Sequence, residues 1–337
     1  MVAWVIVIIV FSLLRPAEYF TRANFDSLIS TQATLLLLAI AFMIPIIIGD
    51  LDLSVAGTTG LSLTLVGFLN GVHNWPIALA GLVAVGAAVL VGVVNVTLVV
   101  GLGVDVIVTT LGVYTVLVGV ALGISGAPIG NISAGFTNVV SASFLGLQVS
   151  FWIVIALCAV LWYVLSQTPL GRRIFVTGAN REVARLSGLR VAGLRSLCLM
   201  AAAVLGGLAG VLIAGVEGSS DPTTGPSLLF PALAAVFLGS TAITPGRFNV
   251  WGTVIAVYFL VFGVAGLEQV GLSGWISQVF NGAALAVAVT LAKVTDPRRR
   301  QSARGRASTS GSRRGVRARA GAHRPGPRSS EPEDVHD

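Results

Sequence analysis

Two groups of charged residues stand out from an otherwise apolar chain. The segment IPIIIGDLDLSVAG places two carboxylates, Asp50 and Asp52, between long apolar runs. The segment GANREVARLSGLRVAGLR, residues 178–195, carries Arg181, Arg185, Arg190, Arg195 and Glu182, with Arg172 and Arg173 just before it. Groups of this kind can pair ions, cap helices or dock a charged partner. Reaction chemistry is not suggested. There is no G-x-S-x-G and no H-E-x-x-H, and outside the 50/52 turn no two carboxylates share a span. His73, His323 and His336 are scattered, and Cys158 and Cys198 lie inside apolar runs, so no cofactor and no metal are expected. A nucleotide site is also missing: a P-loop ends in Gly-Lys-Ser/Thr, and the only lysine, Lys293, follows TLA.

The elements that must hold these charges are membrane helices. The chain has 337 residues, 55% hydrophobic and 10% charged, with mean hydropathy +0.90. Soluble domains carry about 25% charged residues. Forty glycines fit the same class, since membrane helices use Gly more often than soluble ones. Apolar runs predict ten spans, at 2–14, 32–49, 53–70, 76–100, 106–125, 149–166, 196–216, 228–243, 250–267 and 275–293. The first is short for a bilayer, which asks for about 20 residues. The fold class is therefore an all-α integral membrane protein, a polytopic bundle of about ten transmembrane helices with a short cytoplasmic helix in the Arg-rich connection. G-x-x-x-G spacings at Gly67/Gly71, Gly119/Gly123 and Gly206/Gly210 point to close helix packing.

Charge divides the chain into a transmembrane domain, residues 1–297, and a tail, residues 298–337. The first holds ten basic and ten acidic residues, the second eleven and four, so the formal +7 belongs to the tail. Arg, Ser, Gly, Ala and Pro dominate that tail, which is expected to be disordered and cytoplasmic. No aromatic residue interleaves its arginines, so no nucleic acid partner is expected. Attraction to anionic lipid and simple orientation of the chain are both open roles. Short Arg-rich connections stay on the cytoplasmic side. The 167–195 connection and the C-terminus then fall inside, four spans apart, as does Arg247. The uncharged GAPIGNISAGFTNVVSASFLGLQ and EGSSDPTTGPS fall outside. The protein is expected in the cell membrane as a multi-pass chain with a cytoplasmic C-terminus.

Residues 180–188 predict a short surface helix. Asn180 suits its N-cap, and Gly188 stands where a left-handed C-terminal residue is favoured. Arg181 and Arg185 share one face, with Val183 and Leu186 roughly opposite. The 50/52 turn keeps two readings. Asp52 and Ser54 cap the next helix beside a pathway for hydroxyl-rich cargo, or Asp52 is an N-cap on a surface turn.

The stretch EVARLSGL resembles the E-A-A-x-x-x-G cytoplasmic loop of ATP-binding cassette (ABC) importer permeases, matched at Glu182, Ala184 and Gly188, with Val183 in place of an alanine. GDLDLSVAG is similar to the G-G-x-D-L-S-V-G segment of ribose-type sugar permeases at Gly49, Asp52, Leu53, Ser54 and Val55. AAVFLGSTAITPGRFNVWGT resembles that family's late segment at Gly239, Gly246, Arg247 and Gly252. The same group holds branched-chain amino acid permeases. The likeness runs over most of residues 20–293. Asp50, Ala56, Ser240 and Pro245 depart from the family's glycines, and I-x-L-P is absent after Gly188.

The resemblance implies a pore subunit working with a cytoplasmic ABC ATPase, an extracytoplasmic substrate-binding protein and a second permease subunit, identical or not. Its cargo would be a ribose-like pentose or a hexose. A nucleoside, a branched-chain amino acid or an ion-coupled secondary transporter are the alternatives. Arg181, Glu182, Val183, Ala184, Arg185 and Gly188 would form the ATPase-coupling loop. Gly49, Asp52, Ser54, Gly239 and Gly246 are the candidates for the pathway and its helix breaks. Asp52, inside the matching stretch, is expected to matter more than Asp50.

Overall fold

The computed structural model describes residues 8–13, 19, 21–244, 246–272 and 274–295. The expected tail, residues 298–337, and most of the expected first span, 2–14, lie outside them. Residues 8–13 are helical. The elements then run α1 (Arg22–Thr31), α2 (Ala33–Ile47), α3 (Ser54–Val66), α4 (Ile77–Val96), α5 (Val106–Ile124), α6 (Ala134–Ser141), β1 (Ser143–Phe144), β2 (Leu147–Gln148) and α7 (Val149–Gln167). They continue with α8 (Pro169–Ala179), α9 (Arg181–Leu186), α10 (Val191–Glu217), α11 (Thr224–Ser227), α12 (Leu229–Ala242), α13 (Val250–Gln269) and α14 (Trp275–Thr295). Helices α3 and α4 each end in a π-turn, Gly67–Val72 and Thr97–Gly101.

Eight helical stretches are long and apolar enough to cross a membrane among the described residues. They match eight of the ten expected spans. A ninth apolar stretch, Trp275–Leu291, is shorter. Several ends move. The span expected from residue 32 starts at Arg22, because the Thr21 hydroxyl accepts from the Asn24 amide and opens the polar helix α1. The span expected from 196 starts at Val191, which puts Arg195 inside a spanning helix instead of the connection. The connection itself holds α8, opened by the Thr168 cap and Pro169 in the first turn. The all-α reading holds apart from the hairpin β1–β2 and a lone bridge between Ile129 and Ser220.

At the centre stands α3, wrapped by α4, α5 and α10. It is rich in hydroxyls, and Ser54, Thr58, Thr59, Ser62 and Thr64 are all buried. Lipid supplies no hydrophobic drive between helices, so close packing and polar contacts must hold such a helix in place. Glycine provides the approach. A Cβ at Gly210 would collide with the Thr59 carbonyl, and at Gly206 it would sit 3.1 Å from the Val55 carbonyl. The Thr59 hydroxyl bonds the Gly206 carbonyl at 2.9 Å, and Ser62 reaches the Ala84 carbonyl at 3.2 Å. The other two glycine pairs behave differently. Gly67 and Gly71 seat the loops at Ser220 and Gly130, while Gly119 and Gly123 face open space.

Candidate functional site

The charged island and the acidic turn are one structure. Helix α9 begins at Asn180, whose Oδ1 accepts from the amides of Glu182 and Val183 at 2.9 and 3.1 Å. It ends at Gly188, which has φ +78°. Cap and stop are where the sequence puts them. The orientation of the helix is not as expected. Ala184 is fully buried and Arg181 turns inward, whereas Val183 and Leu186 are 52% and 80% exposed. Arg181 turns in to an ion contact with Asp50, which leaves Val183 and Leu186 on the open face with Arg185. Glu182 and Arg185 lie on the open face, 3.9 Å apart.

The inward contact is with Asp50. Arg181 Nη2 lies 2.7 Å from Asp50 Oδ1 and also donates to the Ile48 carbonyl at 3.2 Å. Arg195, from the first turns of α10, binds the same carboxylate with two nitrogens, Nε at 2.7 Å and Nη2 at 3.0 Å. Asp50 is fully buried. A two-pronged arginine contact to a carboxylate fixes geometry as well as charge. Gly49, with φ +85°, makes the turn, and its missing Cβ leaves room for Arg181 at 3.4 Å. Gly178 does the same for α8: a side chain there would collide with the Ile47 carbonyl. The island is thus clamped to the end of α2 at two points.

Asp52 and Ser54 form a second, adjoining cluster. Asp52 Oδ1 accepts from the Ser54 amide at 2.9 Å and its hydroxyl at 2.6 Å. Asn95 Nδ2, from α4, donates to the Ser54 hydroxyl at 2.6 Å. Asp52 precedes the N-cap Leu53, so its bonds close a turn at the helix start without reaching the second or third helical amide. Asp52 Oδ2 and Asn95 Oδ1 are buried without a hydrogen-bond partner. Burial pushes the Asp52 carboxyl up to about 6, against smaller downward pulls from Ser54. Thr110 ties the turn to α5, donating to the Leu51 carbonyl at 3.3 Å and accepting from the Leu53 amide at 3.1 Å. Both carboxylates of the turn are buried beneath the start of α3, while Gly49 is exposed.

Gly239 and Gly246 are not part of this turn. A Cβ at Gly239 would stand 2.6 Å from the Thr253 amide, so this glycine lets α12 and α13 touch backbone to backbone. Gly246, with φ +80°, makes the turn between them. The same turn sends Arg247 over the Phe175 ring of α8 at 4.6 Å. Sequence reasoning missed Asp50 and Arg195 as partners, since they are 145 residues apart. The available signal was charge scarcity: a carboxylate between apolar runs requires a cation. Among the described residues no group of three or more His, Cys, Asp or Glu could hold a metal.

A buried turn clasped by arginines thus lies below a central polar helix, in a chain with eight helices long and apolar enough to cross a membrane among the described residues. Residues 24–289 match the family described as branched-chain amino acid transport system, permease component. The chain belongs to that permease family. It is 34% identical over 264 residues to the autoinducer 2 import system permease protein LsrD of Yersinia enterocolitica, covering 75% of this chain and 78% of the relative. The protein of the same name from Yersinia pseudotuberculosis is 33% identical over 265 residues, with the same coverage. The one from Yersinia pestis is 32% identical, again over 75% and 78% of the two chains. No solved structure matches. The protein is a multi-pass permease subunit of an ABC importer, a transporter subunit and not an enzyme. Permeases of this family work with ATPase and binding-protein partners.

Proposed function

We propose that this permease forms the pathway for a small sugar-like cargo, delivered by an extracytoplasmic binding protein and driven by a separate ABC ATPase. The chain pairs with a second permease subunit. The arginine island and the C-terminus face the cytoplasm, because five arginines crowd one connection, a sixth, Arg195, follows in the first turns of α10, and eleven basic residues follow residue 297. The LsrD relatives are named for autoinducer 2 import, and the sugar-like reading is supported by the ribose-type segment matched at Gly49, Asp52, Leu53, Ser54 and Val55. The family's printed description favours a branched-chain amino acid instead, which is the second reading.

One observation carries the coupling role: α9 presents Glu182, Val183, Arg185 and Leu186 outward, while Arg181 on the same short helix grips the buried turn at Asp50. Docking of the ATPase on the outer face would move Arg181, and Asp50 with it. Gly49, Asp52 and Ser54 lie in or beside the moving turn. Gly239 and Gly246 serve helix packing and the α12–α13 turn. The test is a loop of scrambled sequence over 178–195 that keeps Arg181, Arg195 and the total charge. We expect normal insertion with ATPase stimulation by loaded binding protein reduced at least tenfold. Full stimulation would leave the island as an orienting charge and nothing more.

A further inference from the structure

The hairpin between α6 and α7 turns on two residues. Phe144 pairs with Leu147, which leaves Leu145 and Gly146 at the tip. Both have positive φ, +52° and +89°. A two-residue turn of this kind favours Asn-Gly, because asparagine tolerates the left-handed region and a bulky leucine does not. Leu145 joins no apolar cluster of the chain that would offset this strain. It is 76% exposed, and Phe144 beside it is 57% exposed. A strained, apolar and exposed tip points to a contact outside the chain.

Three contacts fix the level at which that tip stands. The Trp152 indole, in the first turn of the spanning helix α7, donates to the Phe144 carbonyl at 2.9 Å, and the two rings meet edge to face at 6.1 Å. Helical side chains lean toward the N-terminus, so this indole reaches back to the end of the span. The Ser30 hydroxyl accepts from the Gln148 amide at 3.1 Å, and a Cβ on Gly146 would stand 3.4 Å from Arg22 Nη2. The hairpin therefore lies along the first turns of α1, with its tip beside Arg22. The stretch Arg22–Ile47 has 26 residues, about 39 Å, against about 30 Å of bilayer hydrocarbon. Its polar start, RANFDS, is the end that emerges, and the overhang of about 9 Å is close to the depth of the headgroup layer, about 5–7 Å. Exposed Ile153, Val160 and Tyr163 follow at helical spacing down α7, so the tip continues an apolar wall.

We infer that the hairpin tip is a phospholipid contact: Phe144 and Leu145 enter the headgroup layer of the leaflet opposite the arginine island, and Arg22 meets a lipid phosphate there. The Arg22 side chain is 87% exposed, and Asp26, at 3.6 Å from its Nε, leaves its other donors open to a phosphate. Tryptophan and arginine gather at this level because each has an apolar body and a polar end. A tip within the layer does not stand clear in water for a soluble partner to grasp. The contact holds whichever cargo the permease carries and whichever leaflet is the outer one.

The test uses the full chain in vesicles of phosphatidylethanolamine and phosphatidylglycerol. Leu145→Cys and, as a second site, Phe144→Cys carry a nitroxide label; the native Cys158 and Cys198 are buried. Ser187→Cys, exposed at the end of α9, is the control. Collision of the label with a water-soluble nickel chelate is expected to be at least fivefold lower at both tip sites than at residue 187, and collision with oxygen higher. Arg22→Gln in the labelled chain is expected to raise nickel access to the tip at least twofold. Nickel access at the tip equal to that of the control would put it in water and overturn the contact. Shielding that appears only when loaded binding protein is added would give the tip to that partner, and shielding accompanied by label-to-label broadening would give it to a second copy of the chain. Unchanged shielding in Arg22→Gln would overturn the phosphate contact. Leu145→Asn reads the strain itself. Asparagine suits the turn, so the detergent-solubilised protein is expected to melt higher. Lower melting would show that the leucine packs within the chain, and would overturn the outward role.

Discussion

Asp50 and Asp52 sit two residues apart and do different work. The first is neutralised by two arginines, the second only by hydrogen bonds from Ser54 and the neighbourhood of Asn95. Removing one member of a buried ion pair costs about 3–5 kcal/mol, because the other charge is stranded. Arg181 is partly exposed and recovers some hydration, so Asp50→Asn should cost less, about 2–4 kcal/mol. Uptake at equal membrane abundance should fall at least tenfold. Pairing Asp50→Asn with Arg195→Gln should cost less than the two single changes added, as a direct contact requires. Additive losses would show that the carboxylate and the guanidinium act separately. Asp52 carries the opposite liability. Its pKa is raised by burial, from an ordinary 3.8 to about 6, so the folded protein binds a proton that the unfolded chain has released between those values. Its contribution to stability is complete below pH 4 and lost as pH rises through 6. Asp52→Asn keeps the acceptor for Ser54 and removes the titration. Melting of the detergent-solubilised protein should therefore shift upward at pH 7.5, with little change at pH 4. An equal shift at both values would remove the charge from the explanation. The sequence favoured Asp52 over Asp50; the two arginines on Asp50 argue for a large loss there as well, and no reading of local sequence could supply their placement.

Helices α3 and α10 show what the sequence discloses about elements and what it withholds. Their existence follows from unbroken apolar runs, and their close approach from the spacing of Gly206 and Gly210. Identical spacing at Gly119 and Gly123 leads nowhere within the chain, because a glycine pair records permission to approach and not the partner. Helix α9 was legible for a different reason: a cap and a stop act within a few residues of the chain. Its inward face was not, since that depends on Asp50 from another element. Two substitutions test these elements. Gly210→Leu would drive a side chain into the α3 backbone at Thr59, and overpacking of this kind costs roughly 1–3 kcal/mol. Thermal stability should drop, while Gly119→Leu, which meets nothing within 4 Å, should not lower it. Gly188→Val leaves packing untouched, since nothing lies near that Cβ, but forces a β-branched residue into φ +78°. We expect normal insertion with lost stimulation of the partner ATPase. Retained stimulation would show that the exit angle from α9 is unimportant.

At the scale of the molecule, parity links every turn to one side or the other. The turn at Asp50, the island and the Arg247 turn share a face through direct contacts: Asp50 with Arg181 and Arg195, and Arg247 with Phe175. The hairpin at Ser143–Gln148 is one spanning helix, Val149–Gln167, away from the island, so it belongs to the opposite face. Span count and tertiary contacts therefore impose the same division, although they rest on different facts. Single cysteines at Ser187 and Ser143 test it in intact cells with an impermeant maleimide. Ser143→Cys should label from outside and Ser187→Cys only after the membrane is opened. A cysteine at Ser310, in the basic tail, should behave like Ser187→Cys if eleven basic residues hold that end inside. Labelling of Ser187→Cys in sealed cells would invert the whole molecule, putting the Asp50 clamp and α9 out of reach of any cytoplasmic ATPase. Labelling of Ser310→Cys alone would leave the clamp where it is and add or remove one crossing after Gln269, where α14 is the one helix that follows among the described residues.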